Sequence, residues 1–318
     1  MPASTLPTTQ LGGTGLEITR LGLGAWAIGG GDWEFGWGPQ ADEQSLEAIG
    51  RALELGVNWI DTAAAYGFGH SEEVVGRALR GLPEPPLVFT KCSLLEGPGR
   101  TVVHSLGRDS VMREAHASLE RLGVEAIDLY QIHWPDPPGE IEEGWAAMAE
   151  LKREGLVRHI GVSNFDVAQL RRIQQIAPVE TLQPEYSLVA RGAEPELLPF
   201  AEREGIGVIV YSPMGSGILT GTMTRERVER LPAEDWRRRD PRFNEPELTQ
   251  NLELVRRLTL VGDRHQVSAG AVAVAWTLTD PAVDGAIVGF RSAAQVDPVL
   301  AAATLELTAE DLREIEGL

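Results

Sequence analysis

Helical stretches in this chain repeatedly close on a glycine, and a short apolar run follows within a few residues. ALELG, RALRG, LERLG, LKREG and EREG end at Gly56, Gly81, Gly123, Gly155 and Gly205, where a left-handed residue can terminate the last turn. The runs that follow are VNWIDT, PLVFTKC, AIDLYQIH, VRHIGVS and GVIVYS. They are continuously apolar rather than alternating, as expected of strands covered on both faces. LGLGAW near the start, ETLQPEYS at 180–187 and DGAIVG at 284–289 bring the predicted strands to eight. Helical patterns fall between them. Eight strand–helix units in 318 residues predict a closed (β/α)8 barrel, an α/β fold of the TIM type, with long β/α loops at its C-terminal rim. An open doubly wound sheet fits less well, because LGLGAWAIGGG has no helix start directly after its glycines.

No Pro/Ser-rich linker, low-complexity tract or long like-charge run divides the chain, so residues 1–318 read as one domain. Apolar residues make up 43%, enough to bury a large core. The net charge of −19 argues against nucleic-acid or anionic-membrane partners, which demand clustered Lys and Arg. RVERLPAEDWRRRDPRF carries Arg237, Arg238 and Arg239, but Glu229, Glu234, Asp235 and Asp240 are interleaved with them. It reads as a solvated loop with local ion pairs. No apolar stretch approaches a membrane span, and MPASTLPTTQ lacks the basic and apolar regions of a signal peptide. A single cysteine, Cys92, allows no intrachain disulfide; it reads as a buried structural residue, and a cytoplasmic location is the default.

Four polar residues stand at the ends of successive strand-like runs: Asp61 and Tyr66 in NWIDTAAAYG, Lys91 in LVFTKC and His133 in IDLYQIHW. Parallel α/β folds gather such residues on one rim, where their active sites lie. Lys91 is one of only two lysines among 28 basic residues, the other being Lys152 in the exposed-helix pattern AELKREG. A compact cation beside Tyr66 would stabilise its phenolate and lower its pKa, making it a better general acid. Asp61 would pair with Lys91 and hold it charged, and His133 would orient a carbonyl oxygen. The result is a proton donor for an oxygen that gains negative charge, and it needs no metal. His70, His104, His116, His159 and His265 lack ligand spacing and read as surface or helix-end residues.

In order along the chain stand QLGGTGLEITRLGLG, DTAAAYG, TKC, DLYQIHWPD, KREGLVRHIGVSNF, LQPEYS, VIVYSPMGSGILTG and IVGFRSAAQV. At these residues the sequence resembles the aldo-keto reductase family over nearly its whole length. The resemblance implies a (β/α)8 barrel that interconverts aldehydes or ketones with alcohols, using a nicotinamide cofactor. It also implies a catalytic tetrad of Asp61, Tyr66, Lys91 and His133. By the same resemblance Ser163, Asn164 and Gln183 would hold the nicotinamide carboxamide, and Tyr211 would stack on the ring. Ser212, Pro213, Met214, Gly215, Ser216 and Gly217 would line the pyrophosphate, with Gly24 and Trp26 beside the cofactor and pocket. Gly289, Arg291, Ser292 and Gln295 match positions that hold an adenosine 2′-phosphate, which favours NADPH over NADH. The family's adenine-contacting Glu and Asn are replaced by Pro298 and Val299.

The Gly- and Trp-rich segment GGGDWEFGWGP should place Trp33 and Trp37 over the barrel mouth as pocket walls, with Trp134 beside them. Loops 27–40, the segment after His133, and 215–246 should shape a site for a small aldehyde, ketone or sugar-like carbonyl. Two other functions remain open on the residues. One is a cofactor-binding but catalytically idle interaction or redox-sensing subunit of the same fold. The other is a metal-dependent barrel hydrolase, although the HxH-type pairs of that class are missing. The oligomeric state is not specified by any of these features.

Overall fold

The computed structural model describes residues 6–31, 33–233 and 235–318. Eight parallel strands close into a barrel: β1 (Leu21–Gly24), β2 (Trp59–Asp61), β3 (Leu87–Cys92), β4 (Ile127–Ile132), β5 (Val157–Ser163), β6 (Thr181–Gln183), β7 (Gly207–Val210) and β8 (Gly285–Gly289). All eight predicted strands are present. Each pairs with its sequence neighbours, and β8 closes on β1 in the register Gly289–Gly24. Helices α1 (Asp42–Glu54), α2 (His70–Leu79), α3 (Arg108–Leu122), α4 (Ile141–Arg153), α5 (Val167–Ile173) and α6 (Leu197–Glu204) fill the first six connections. The predicted stops at Gly56, Gly81, Gly123, Gly155 and Gly205 all take positive φ. Between β7 and β8 run α7 (Glu247–His265) and α8 (Ala269–Thr277), and α9 (Val296–Leu300) and α10 (Ala309–Glu316) follow β8. No helix among the described residues is long and apolar enough to cross a membrane.

Two apolar cores explain why the strands read as unbroken hydrophobic runs. Outward residues such as Ile60, Val88, Tyr130, Val208 and Val288 pack against the helices. Inward residues Trp59, Phe89, Leu129, Ile209 and Ile287 form a separate cluster inside the barrel with Leu11 and Ile18. Leu11 and Ile18 come from an N-terminal hairpin, Thr8–Gln10 with Glu17–Thr19, that closes the lower end. Trp59 Nε1 donates to the Thr19 carbonyl at 2.8 Å and ties that hairpin to the barrel.

Side chains alternate along a strand, so the residue two positions beyond an inward apolar residue also points inward. Two positions after Trp59, Phe89, Leu129 and Ile209 come Asp61, Lys91, Gln131 and Tyr211. The strand period thus turns an apolar layer into a polar one at the C-terminal rim. Room for the apolar layer depends on glycine: a Cβ at Gly22 would sit 2.2 Å from the Trp59 ring. Gly22→Ala is therefore expected to cost about 1–3 kcal/mol, as overpacking does. A lower urea midpoint at constant m-value would report it; an unmoved midpoint would mean the Trp59 ring can yield.

Candidate active site

Asp61 and Lys91 form a buried ion pair at the bottom of the rim. Lys91 Nζ donates to Asp61 Oδ1 at 2.5 Å and to the Thr62 carbonyl at 2.9 Å, and the Lys91 side chain is fully enclosed. The other Asp61 oxygen accepts from Gln183 Nε2 at 2.9 Å and Gln131 Nε2 at 3.4 Å. Burial lowers the Lys91 pKa, and Asp61 pulls it back up. Above the pair, Lys91 Nζ lies 5.3 Å from the centroid of the Tyr66 ring, and the His133 ring stands edge-on to Tyr66 at 5.7 Å. The four expected residues are therefore brought together, although Tyr66 lies in the turn between β2 and α2 rather than on a strand.

The electrostatics of Tyr66 differ from the expectation of a lowered pKa. Its phenol is held well above the ordinary value, first by burial and then by Asp61 and Tyr211. The physical reason is that Lys91 is matched by Asp61 at contact distance, so the pair presents a dipole rather than a net positive charge. His133 is shifted the other way, well below its usual value, by burial, then by Lys91 and His104. It is a neutral imidazole whose buried Nδ1 has no hydrogen-bond partner among the described residues.

Asp61, Tyr66 and His133 form the floor of a cavity of about 630 Å³ walled by Trp26, Trp33, Trp37, Trp134 and Tyr211. At its β5–β7 side, Ser163 Oγ donates to the Gln183 carbonyl at 2.8 Å, and Asn164 Nδ2 donates to the His133 carbonyl and Ser163 Oγ at 3.0 Å. Tyr211 Oη donates to Asn164 Oδ1 at 2.8 Å, which orients its ring across the cavity. Gln183 still faces the cavity, but its amide nitrogen is committed to Asp61. Asn164, Ser212 and Ser216 take positive φ, strain concentrated in residues at the cavity wall. Gly24, Trp26, Pro213, Met214, Gly217, Gly289, Arg291 and Gln295 line the same cavity. Lys91, Gly215 and Ser292 are not on its wall, being set behind it.

The far end of the cavity holds Arg291. Its Nε donates to Gln40 Oε1 at 3.0 Å, its Nη2 to the Pro39 carbonyl at 2.5 Å, and its backbone N–H to Gln295 Oε1 at 2.7 Å. Burial and then the neighbouring Arg237 lower its pKa, opposed by Asp235, and both guanidiniums line the cavity. Pro298 and Val299 lie on α9 and do not line the cavity. Among the described residues no group of three His, Cys, Asp or Glu could hold a metal ion.

The 235–239 segment is not the solvated loop that its composition predicts. The local ion pairs do form, as in Arg237 with Asp235 at 2.6 Å. Yet Trp236 stacks on Trp26 at 5.5 Å and meets Trp37 edge-on at 5.6 Å, while Arg237 lies 4.8 Å over the Trp37 ring. Tertiary aromatic contacts draw the loop across the barrel mouth. Glu234 lies outside the described residues.

Comparison with known proteins agrees with this geometry. The model of the Aldo/keto reductase family matches residues 20–318. The chain belongs to that family. It is 38% identical over 313 residues to the aldo-keto reductase YhdN of Bacillus subtilis (strain 168), covering 98% of this chain and 92% of the relative. It is 36% identical over 317 residues to an NADH-specific methylglyoxal reductase of Escherichia coli (strain K12), covering 95% and 94%. The structure of the glycerol dehydrogenase AKR11B4 from Gluconobacter oxydans superposes with a TM-score of 0.88 at 35% identity, covering 100% of this chain and 95% of that one.

Several members of this candidate site are not legible in the sequence. Gln131, which shares Asp61 with Gln183, is hidden in an apolar run and becomes visible only once the inward register is known. A second hairpin, Leu94–Glu96 with Val102–His104, brings Leu94, Val102 and His104 to the cavity wall. His104 is exposed, as expected, and also lines the cavity, with its Nδ1 3.2 Å from Asp136. His159 is half-buried on β5 against Glu180. Cys92 is buried as expected, its Sγ 3.6 Å from the Gln131 carbonyl.

Proposed function

We propose that this aldo-keto reductase reduces aldehydes or ketones to alcohols, reversibly, with Tyr66 as the general acid and base. The convergence of Asp61, Tyr66 and His133 on the floor of a single cavity, with Lys91 paired to Asp61 behind it, carries this reading. When bound, a nicotinamide dinucleotide supplies or accepts the hydride. Ser163 and Asn164 are suited to hold its carboxamide, Tyr211 to lie against its ring, and the 212–217 segment to pass its phosphates. The substrate carbonyl would then lie between Tyr66 and His133.

Tyr66 keeps its proton in the resting protein, because burial disfavours the phenolate. An oxygen gaining negative charge is a far stronger base than a phenolate, so transfer from even a reluctant phenol runs downhill as the charge develops. His133, held neutral, can hydrogen-bond the same oxygen without adding a charge of its own. The aromatic walls and the names of the relatives, a methylglyoxal reductase and a glycerol dehydrogenase, support a small, oxygen-rich carbonyl as substrate.

For the cofactor, NADPH is the proposed choice. Arg291 and Arg237 line the same cavity in a chain of net charge −19, Arg237 already paired with Asp235, and a 2′-phosphate would meet Arg291 with charge-assisted hydrogen bonds. The NADH-specific relative marks the alternative.

Replacing Tyr66 with Phe should lower reduction of a carbonyl panel, followed by NADPH absorbance, by about 10²–10⁴-fold while dinucleotide binding is retained. Near-normal turnover by that variant would remove Tyr66 from the acid role. For the cofactor, a charge-assisted hydrogen bond contributes ~1.5–3 kcal/mol, or roughly 10- to 150-fold in affinity. Fluorescence titration at one salt concentration should therefore show NADPH binding at least about tenfold tighter than NADH, with Arg291→Ala closing most of the gap. Equal wild-type affinities would assign Arg291 to some other role.

A further inference from the structure

Glu114 is a buried acid to which the mechanism above gives no task. Glu114 lies on α3, behind the barrel wall, and is only 7% exposed. Its Oε2 accepts the backbone N–H of Ser93 at 3.0 Å, and its Oε1 accepts from Ser110 Oγ at 3.3 Å. Ser93 is fully buried two residues after Lys91 and takes φ of 89°, a left-handed value that non-glycine residues avoid. Its hydroxyl donates to the Trp134 carbonyl and accepts from the Trp134 N–H, both at 3.3 Å. Its carbonyl accepts from the N–H of Ser105, next to His104 on the wall hairpin. All the polar groups of this strained residue are thus engaged, and two of them hold parts of the cavity wall.

We propose that Glu114 is a positioning residue for the substrate wall: by gripping the Ser93 amide it holds Ser93 in its left-handed conformation, and Ser93 in turn fixes Trp134 and the hairpin that carries His104. This rests on the reading of the cavity as the site of carbonyl reduction. Tyr211 and Arg291 make no hydrogen bond to this chain of bonds, and Asn164 meets it only at the peptide joining His133 to Trp134, whose carbonyl it binds, so loss of the grip should act more on substrate than on the cofactor.

The grip is also sensitive to protonation. Burial raises the Glu114 pKa to about 7, opposed by the Ser93 and Ser110 hydrogen bonds and by Arg113, and reinforced by Glu72 on α2. Cys92 on β3 and Tyr130 on β4 face it as well, both held neutral by burial, and Glu72 is itself paired with Arg121 at 2.6 Å. A carboxylate accepts an amide N–H more strongly than a carboxylic acid does. The grip therefore weakens as pH falls through about 7.

Three variants test this: Glu114→Ala, which removes the acceptor; Glu114→Gln, which keeps an acceptor oxygen and cannot ionise; and Ser93→Gly, which suits the backbone and deletes the hydroxyl clamp. With methylglyoxal and the preferred dinucleotide, Glu114→Ala and Ser93→Gly should each raise KM about tenfold or more, with dinucleotide Kd unchanged. Glu114→Gln should restore most of the loss and abolish a rise in KM that the wild type shows below about pH 7. Hydrogen exchange, which needs no substrate, should show faster exchange at the Ser93, Ser105 and Trp134 amides in Glu114→Ala and recovery in Glu114→Gln. Unchanged exchange at those amides, or a KM shift matched by an equal shift in dinucleotide Kd, would overturn the proposal. A wild type inactive toward every carbonyl tested would instead count against the catalytic reading and leave exchange to decide the role of Glu114.

Discussion

Two opposite charges buried at contact distance organise this molecule. Neither Asp61 nor Lys91 could stay ionised alone at that depth, because an isolated buried charge is far more costly than a paired one. The pair therefore has to be made whole by its surroundings. The Thr62 carbonyl takes one ammonium hydrogen, and Gln183 and Gln131 donate to the second carboxylate oxygen. Those demands fix side chains from β2, β3, β4 and β6 against one another across the barrel. The site floor and the barrel interior are one polar network above one apolar cluster.

That network also explains why Tyr66 and His133 behave as they do. A matched ion pair gives short-range polarity with little net field, so burial dominates both neighbours and leaves both uncharged at rest. On the proposed mechanism, charge then appears only when a substrate oxygen draws a proton. Keeping the floor neutral until that moment suits a site that must also admit an anionic dinucleotide into a chain of net charge −19.

The eight strands were legible because glycine stops and apolar runs are local signals, repeated often enough to fix the alternation. Asp61, Lys91 and His133 were legible because polar residues at the ends of such runs stand out. What was missed depends on three dimensions. Gln131 looks like any polar interruption of a strand until the inward register is known. The arginines at 237–239 pair locally as their acids suggest, yet the position of the loop is set by Trp236 meeting Trp26, more than two hundred residues away in sequence. The two hairpins have strands of three residues each, too short for an alternating pattern to show. The upward shift of Tyr66 is a matter of burial, which no motif states. Glu114 reads as one more polar position of an amphipathic helix until Ser93 is seen above it.

If the Asp61–Lys91 pair is the keystone, its two charges must be worth more together than apart. The direct measurement is a double-mutant cycle on stability with Asp61→Asn, Lys91→Met and the combination, read by chemical denaturation alongside turnover of the folded fraction. Each single change should cost about 3–5 kcal/mol, since it strands one buried charge. The double variant, which buries no charge, should be more stable than either single, with a coupling above about 1 kcal/mol, and should remain catalytically impaired. Losses that simply add, or a double variant with wild-type turnover, would contradict the account.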